Sequence, residues 1–386
     1  MPKSIKSPQH GEPKRSLWLA KDRRSVVVLD QTRLPHRVET VTLRTLQDAA
    51  RAISDMIVRG APLIGVTAAY GMALAMAEDA SDASLGRAYD VLIATRPTAV
   101  NLRWALDLMR AHLAPLPSAG RRDAAFLMAA EVAEEDMACN HALGLHGLNV
   151  LQRIARRRKG EPLRILTHCN AGRLATVAWG TATAPMYLAH DHGIPIHVLV
   201  SETRPRNQGA SLTAWELLDH GIPHTVVADN SAGHLLQRGL VDVVIVGADR
   251  VTRRGDVANK VGTYLKALAA RAHGVPFHVA LPTSTIDWTL EDGVRGIPIE
   301  QRSQREVTHV AGTDARGRVV EVRLTPEGSP ARNDAFDVTP FGLVTGFITE
   351  RGLCPATREG LRRLQPRGGS AGLARATRPR KLPATK

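Results

Sequence analysis

Residues 164–172 read "RILTHCNAG". The stretch opens as an apolar run and breaks into His168, Cys169 and Asn170, three chemistry-bearing side chains in a row. An apolar run of this length, closed by polar residues and glycine, is the pattern of a strand buried on both faces. The pattern returns downstream in "IHVLVSE" (196–202), "HTVVAD" (224–229), "DVVIVGAD" (242–249) and "PFHVAL" (276–281). Helix-like segments separate most of these runs, among them "RLATVAWGTATAPMYLAHDHG" (173–193) and "TAWELLDHG" (213–221). Alternating strand and helix predicts βαβ units and a parallel sheet covered by helices. Residues 159–361 are therefore expected to form a doubly wound, Rossmann-like α/β domain.

Upstream of "ARRRKGEP" (155–162), which reads as a linker, the pattern differs. Residues 26–46 alternate as short strands around a proline turn. From 47 to about 158, Ala, Leu and Met recur at helical spacing, as in "LQDAARAISDMIV" and "NLRWALDLMRAHL". Residues 25–158 thus read as a small β plus helical N-terminal domain.

The 386-residue chain carries a net charge of +14, which invites a nucleic-acid reading. Its placement argues against one. Residues 1–24 contribute +5 and residues 362–386 contribute +8, so the part expected to fold is nearly neutral. A nucleic-acid domain carries its charge on the fold. Both basic ends are rich in Pro, Gly and Ser and read as disordered. The N-terminus has no apolar segment of the secretory kind. The apolar runs are strand-sized, short of the ~18 residues of a membrane helix. Three separated cysteines, Cys139, Cys169 and Cys354, fit a reducing cytoplasm and give no structural zinc pattern.

Ligands of open α/β sheets bind beyond the carboxyl ends of the strands. Cys169-Asn170-Ala171-Gly172 follows the first run, Glu202-Thr203-Arg204 and Asn207-Gln208-Gly209 the second. Asp229-Asn230-Ser231, Asp249-Arg250 and Pro282-Thr283-Ser284-Thr285 follow the others. No GxGxxG or GxxxxGK[ST] occurs, so nucleotide binding lacks motif support. A free cysteine is most often a small buried hydrophobe, but a strand-end position favours chemistry for Cys169. Asp249 could cap a following helix. That helix is expected only from about Val257, with Asp256 as its cap and Asn259 and Lys260 in its first turn, which leaves Asp249 free. Arg59-Gly60-Ala61 precede a helix starting at Pro62, and Arg96 precedes another capped by Thr98. A helix N-terminus flanked by arginine is an anion site, and two of them together with Lys260 suggest a phosphorylated small molecule.

Taken in order, "RGAPLIG" (59–65), "RPTAVNL" (96–102), "THCNAG" (167–172), "ETRPRNQGASLTAWEL" (202–217), "VGADRV" (246–251), "GDVANKVGTY" (255–264) and "NDAFDVTP" (333–340) carry a resemblance over roughly residues 15–355. The chain resembles the family that joins methylthioribose-1-phosphate isomerases to the alpha, beta and delta subunits of translation initiation factor 2B. The resemblance implies an aldose–ketose isomerisation in methionine salvage, from 5-methylthioribose 1-phosphate to 5-methylthioribulose 1-phosphate. It implies no metal or organic cofactor, a cytoplasmic homodimer and a sugar-phosphate substrate. It makes Asp249 the proton donor and Cys169 the second catalytic group, and matches Arg59, Gly60, Ala61, Arg96, Gln208, Asn259 and Lys260 to substrate-binding positions. Other members often have an apolar residue in place of Arg206 or Asn207. The alternatives are isomerisation of a related sugar 1-phosphate (5-deoxyribose 1-phosphate or ribose 1,5-bisphosphate) and a non-catalytic regulatory subunit.

Overall fold

The computed structural model describes residues 13–96 and 99–365. The expectations for residues 1–12 and 366–386, and for Thr98 as a cap, lie outside the described residues. The N-terminal part opens with a three-stranded antiparallel sheet of β1 (Leu17–Leu19), β2 (Val26–Leu29) and β3 (Thr40–Leu43). β1 falls inside the segment read as a disordered tail to residue 24; Leu17 is 1% exposed and anchors it in the core. Five helices follow: α1 (Leu46–Ser54), α2 (Ala61–Glu78), α3 (Asp82–Thr95), α4 (Val100–Leu113) and α5 (Ser118–Ala155). α1 starts at a capping box, with Thr45 and Asp48 each satisfying the other's backbone N–H. α2 is apolar on every side, as a central helix must be. By length and composition it could cross a membrane, against the expectation that no apolar run is that long, but 83% of it is buried among its neighbours.

The C-terminal part alternates β4 (Leu163–His168), α6 (Ala184–Asp191), β5 (Ile196–Ser201), α7 (Ala214–His220), β6 (His224–Val227), α8 (Ser231–Gln237) and β7 (Val243–Val246). Next come β8 (Arg250–Thr252), β9 (Val257–Lys260), α9 (Thr263–Ala272), β10 (Phe277–Ala280) and β11 (Ile286–Asp287). A hairpin of β12 (His309–Thr313) and β13 (Val319–Arg323) precedes β14 (Phe336–Thr339), β15 (Gly346–Thr349) and β16 (Gly352–Cys354). The main sheet has the order β16-β15-β10-β7-β4-β5-β6, parallel except for β16. Successive residues of a strand face opposite sides, and both sides are apolar here. Ile165, Val243 and Ile245 pack with α5, α6 and α7, while Leu166, Val244 and Val246 pack with α8 and α9.

Three expectations change. Residues 257–260 are a strand, not a helical turn; β9 pairs with β8 and β14 in a second sheet of order β11-β8-β9-β14. The next helix begins at Thr263 with Gly262 at its cap, so Asp256 is no cap; its carboxylate accepts the N–H groups of Gly293 and Phe341 instead. Residues 176–183, read as helix, are irregular between a short 3-10 turn and α6. The 38-residue α5 gives Ala125–Ala133 to the first core and Leu143–Leu151 to the second, so one helix belongs to both.

Candidate active site

Numbered by their place in the parallel sheet, β6-β5-β4-β7-β10-β15 run 3-2-1-4-5-6. Chain direction across the sheet reverses between β4 and β7, and the crevice at such a switch point is where ligands bind. Cys169 is the first residue after β4, and Asp249 lies three residues after β7. Both line one cavity there. The start of α2 and the end of α3 cover it from the N-terminal part, contributing Arg59, Gly60, Ala61 and Arg96. Gln208, Asn259 and Lys260 complete the predicted set, so all nine residues singled out in the sequence border the same space.

Each is held by identifiable contacts. Cys169 takes a left-handed backbone conformation, φ 66°, and donates its N–H to Thr203 Oγ1 at 2.8 Å. Arg59 donates to the backbone oxygen of Asn170 at 2.7 and 3.0 Å and to the Asn170 side chain, while its Nε has no partner. Gly60 is the α2 cap with φ 95°, and a Cβ there would lie 2.5 Å from Ala175. Glycine is what lets the helix start touch the sheet domain. Arg96 does not precede a side-chain-capped helix: it closes α3, and Ala99 occupies the cap of α4 without a side-chain bond. Its guanidinium reaches Glu300 at 3.2 Å, and its Nε is unpartnered. A buried polar group without a protein partner takes one from outside the chain, a ligand or a water.

Lys260 is 4% exposed, donates to the Ala335 oxygen at 2.7 Å and stands 4.7 Å over the Phe336 ring. Burial and the charge of Arg302 lower its ammonium to about 8. Cys169 and Asp249 act in the opposite direction on it. Asp249 donates its backbone N–H to Ala258, which ties β7 to β9. Desolvation pushes its carboxyl upward, while Lys260, Arg96, Arg59 and Arg302 pull it down. The net result is a raised pKa. Arg250, next along the chain, reaches Asp287 at 3.4 Å.

The sequence reading missed Arg302 and Phe336. Arg302 sits in an irregular segment, bonds Glu300 at 2.9 Å and reaches Met56 Sδ at 3.4 Å. No periodicity or cap marks it. Phe336 stands inside "NDAFDVTP", and nothing in that motif says the ring walls a cavity. Four cations, Arg59, Arg96, Lys260 and Arg302, thus surround one carboxyl and one thiol. Among the described residues no three His, Cys, Asp or Glu side chains gather to hold a metal ion. The arrangement suits a small dianion with its reacting atoms between an acid and a thiol.

Residues 57–356 match the initiation factor 2 subunit family. The chain belongs to that family. A family member, the methylthioribose-1-phosphate isomerase of Rhizobium meliloti (strain 1021), is 62% identical over 352 residues, spanning 91% of this chain and 97% of that protein. The crystal structure of 5-methylthioribose 1-phosphate isomerase from Pyrococcus horikoshii OT3 superposes with a TM-score of 0.78 at 38% identity, covering 92% of this chain and 96% of that one. The crystal structure of translation initiation factor eIF-2B, subunit delta, from A. fulgidus superposes with a TM-score of 0.74 at 37% identity, covering 91% of this chain and 98% of that one.

Proposed function

We propose that this protein is an aldose–ketose isomerase that converts 5-methylthioribose 1-phosphate to 5-methylthioribulose 1-phosphate in methionine salvage. The observation that carries it is the acid–thiol pair at the switch point, ringed by four cations. The identity to the Rhizobium meliloti isomerase supports the same substrate.

The substrate carries its phosphate on the anomeric oxygen, so it cannot open to a free aldehyde as ordinary aldoses do. The C1 to ring-oxygen bond must break with the phosphate in place. Asp249, protonated at rest, gives its proton to the ring oxygen, and the bond's electron pair leaves with that oxygen. The cation left at C1 is stabilised by the attached phosphate oxygen. Cys169 then removes the C2 proton to give an enol, which takes a proton at C1 and loses the C2 hydroxyl proton to become the ketone. In the hydride form, the C2 hydrogen moves with its electron pair to C1 while the C2 hydroxyl proton leaves. Arg59, Arg96, Lys260 and Arg302 hold the phosphate and sugar oxygens, with Gln208 and Asn259 orienting hydroxyls. Enclosure between the two parts of the chain excludes water and sustains the raised Asp249 pKa.

The A. fulgidus initiation factor eIF-2B delta subunit shares the fold, which motivates the second reading, a regulatory subunit. Purified protein incubated with 5-methylthioribose 1-phosphate, 5-deoxyribose 1-phosphate and ribose 1,5-bisphosphate separates these readings. Preferred turnover of the first is expected. Turnover of none sinks the enzyme reading, and preference for another changes the substrate. We also read the protein as a cytoplasmic homodimer, and a monomer mass by light scattering at micromolar concentration would overturn the dimer.

A further inference from the structure

Two non-glycine residues hold left-handed backbones at the carboxyl ends of neighbouring strands: Cys169 after β4, φ 66°, and Thr203 after β5, φ 68°. Such conformations are costly outside glycine and persist only where surroundings enforce them. The parallel register of β4 and β5 ends at His168 opposite Ser201. One residue later the backbone turns away, and the Cys169 N–H goes to the Thr203 hydroxyl oxygen at 2.8 Å rather than to a strand. That hydroxyl donates to the Ser201 carbonyl at 2.8 Å, so its proton points away from Cys169. On the other side of Cys169, Thr213 Oγ1 donates to its carbonyl at 2.7 Å. Both peptide groups of the cysteine are therefore tied to buried threonine hydroxyls.

Thr203 is itself fastened. Its N–H donates to Asp229 Oδ1 at 2.9 Å, the N–H of Arg204 donates to Oδ2 at 2.7 Å, and Ser201 Oγ donates to Oδ1 at 2.5 Å. His168 Nδ1 stands 3.7 Å and Lys266 Nζ 3.9 Å from the same carboxylate. A strand-end loop can be stitched for stability alone. Here, however, the stitching converges on Cys169, which lines the cavity, and a glycine would take either left-handed position at lower cost.

We propose that Thr203, braced by Asp229, is a positioning residue that holds Cys169 in its left-handed conformation and so aims the thiol at the substrate. The proposal rests on the reading of Cys169 as a reacting group. Loss of the threonine hydroxyl frees the Cys169 peptide to relax to negative φ, which swings Cβ and the thiol off the cavity.

The test compares Thr203→Val, Thr203→Ser and Asp229→Asn in the full chain. Three quantities are measured: kcat and KM on 5-methylthioribose 1-phosphate, melting temperature, and peptide-resolved iodoacetamide alkylation with Cys139 and Cys354 as internal references. Thr203→Val is expected to lower kcat about 10²-fold, the effect of ångström-scale misplacement. KM should change little, and alkylation should slow at Cys169 alone. Thr203→Ser should restore both readouts, and Asp229→Asn should shift them in the direction of Thr203→Val if that variant does not fold. Wild-type kcat and Cys169 alkylation in Thr203→Val overturn the proposal, as does a serine variant that folds but fails to rescue. If Cys169→Ser turns over normally, the catalytic reading of the cysteine fails. The alkylation comparison still decides whether Thr203 aims the thiol.

Discussion

Asp249 must be uncharged to donate a proton, yet four cations surround it. Desolvation outweighs them and its pKa is raised. A raised carboxyl keeps its proton to higher pH, so kcat/KM should be lost on the alkaline side, as pH rises through the Asp249 pKa. Asp249→Asn should lower turnover at least ~10²-fold, the usual weight of one acid–base group, and remove that limb of the pH–rate profile. An unchanged limb in the variant would assign it to another group. Arg302→Ala removes a cation that also holds Glu300, and should weaken substrate binding by ~1.5–3 kcal/mol. Equilibrium binding of substrate to a Cys169→Ser background measures this without turnover. The place of Cys169 and Asp249 at the strand ends that border the cavity was legible in the sequence, because each follows an apolar strand. Arg302 was not: an arginine between Gln301 and Ser303 in an irregular stretch looks like any solvated cation, and only the folded chain brings it to Met56 and Phe336.

Strands and helices with one clear period were readable, and those whose partners are remote were not. β4 through β7 were found because strands buried on both faces must be continuously apolar. β9 was misread because "VANK" is too short for a period, and its pairing with β8 and β14 comes from residues up to 82 positions away. The start of α2 was placed correctly to within a residue, since Arg59-Gly60-Ala61-Pro62 has the order of a helix start. What could not be read is that Gly60 abuts Ala175. Gly60→Ala puts a methyl 2.5 Å from that residue at a backbone φ of 95°, and should destabilise the chain by about 2 kcal/mol or more. It should also raise KM, because the helix start that carries Arg59 must retreat from the sheet. Urea melts and steady-state kinetics check the two effects, and a variant with wild-type values in both would show that this junction gives easily.

The doubly wound topology was legible from alternation alone, but the sharing of α5 between two cores was not, because its apolar positions drift along 38 residues rather than marking two separate faces. Midway along the helix, Asp136 accepts the Val177 N–H at 2.7 Å, and burial raises its pKa to about 7. Folded, it holds a proton that the unfolded chain releases near pH ~4, so its ionisation works against folding as pH rises from about 4 through 7. Asp136→Asn should flatten the dependence of melting temperature on pH across that window, and an unaltered slope would refute the assignment. Val177 also seals the first core, and Ser16 beside β1 donates to its carbonyl at 2.8 Å. The order of synthesis follows from this. While the chain emerges from a ribosome, everything through α5 can be outside the exit tunnel and still lack the residue that closes its first core. It also presents Leu143, Leu148 and Leu151 with no sheet to cover them. A fragment ending at residue 158 should therefore be protease-sensitive and prone to aggregate. One extended through the second β-strand of the main sheet still lacks β7 and stays incomplete, so nascent chains of this protein should engage chaperones until late in translation. Ribosome-bound chains of graded length, probed by limited proteolysis, should show protection arriving in one late step.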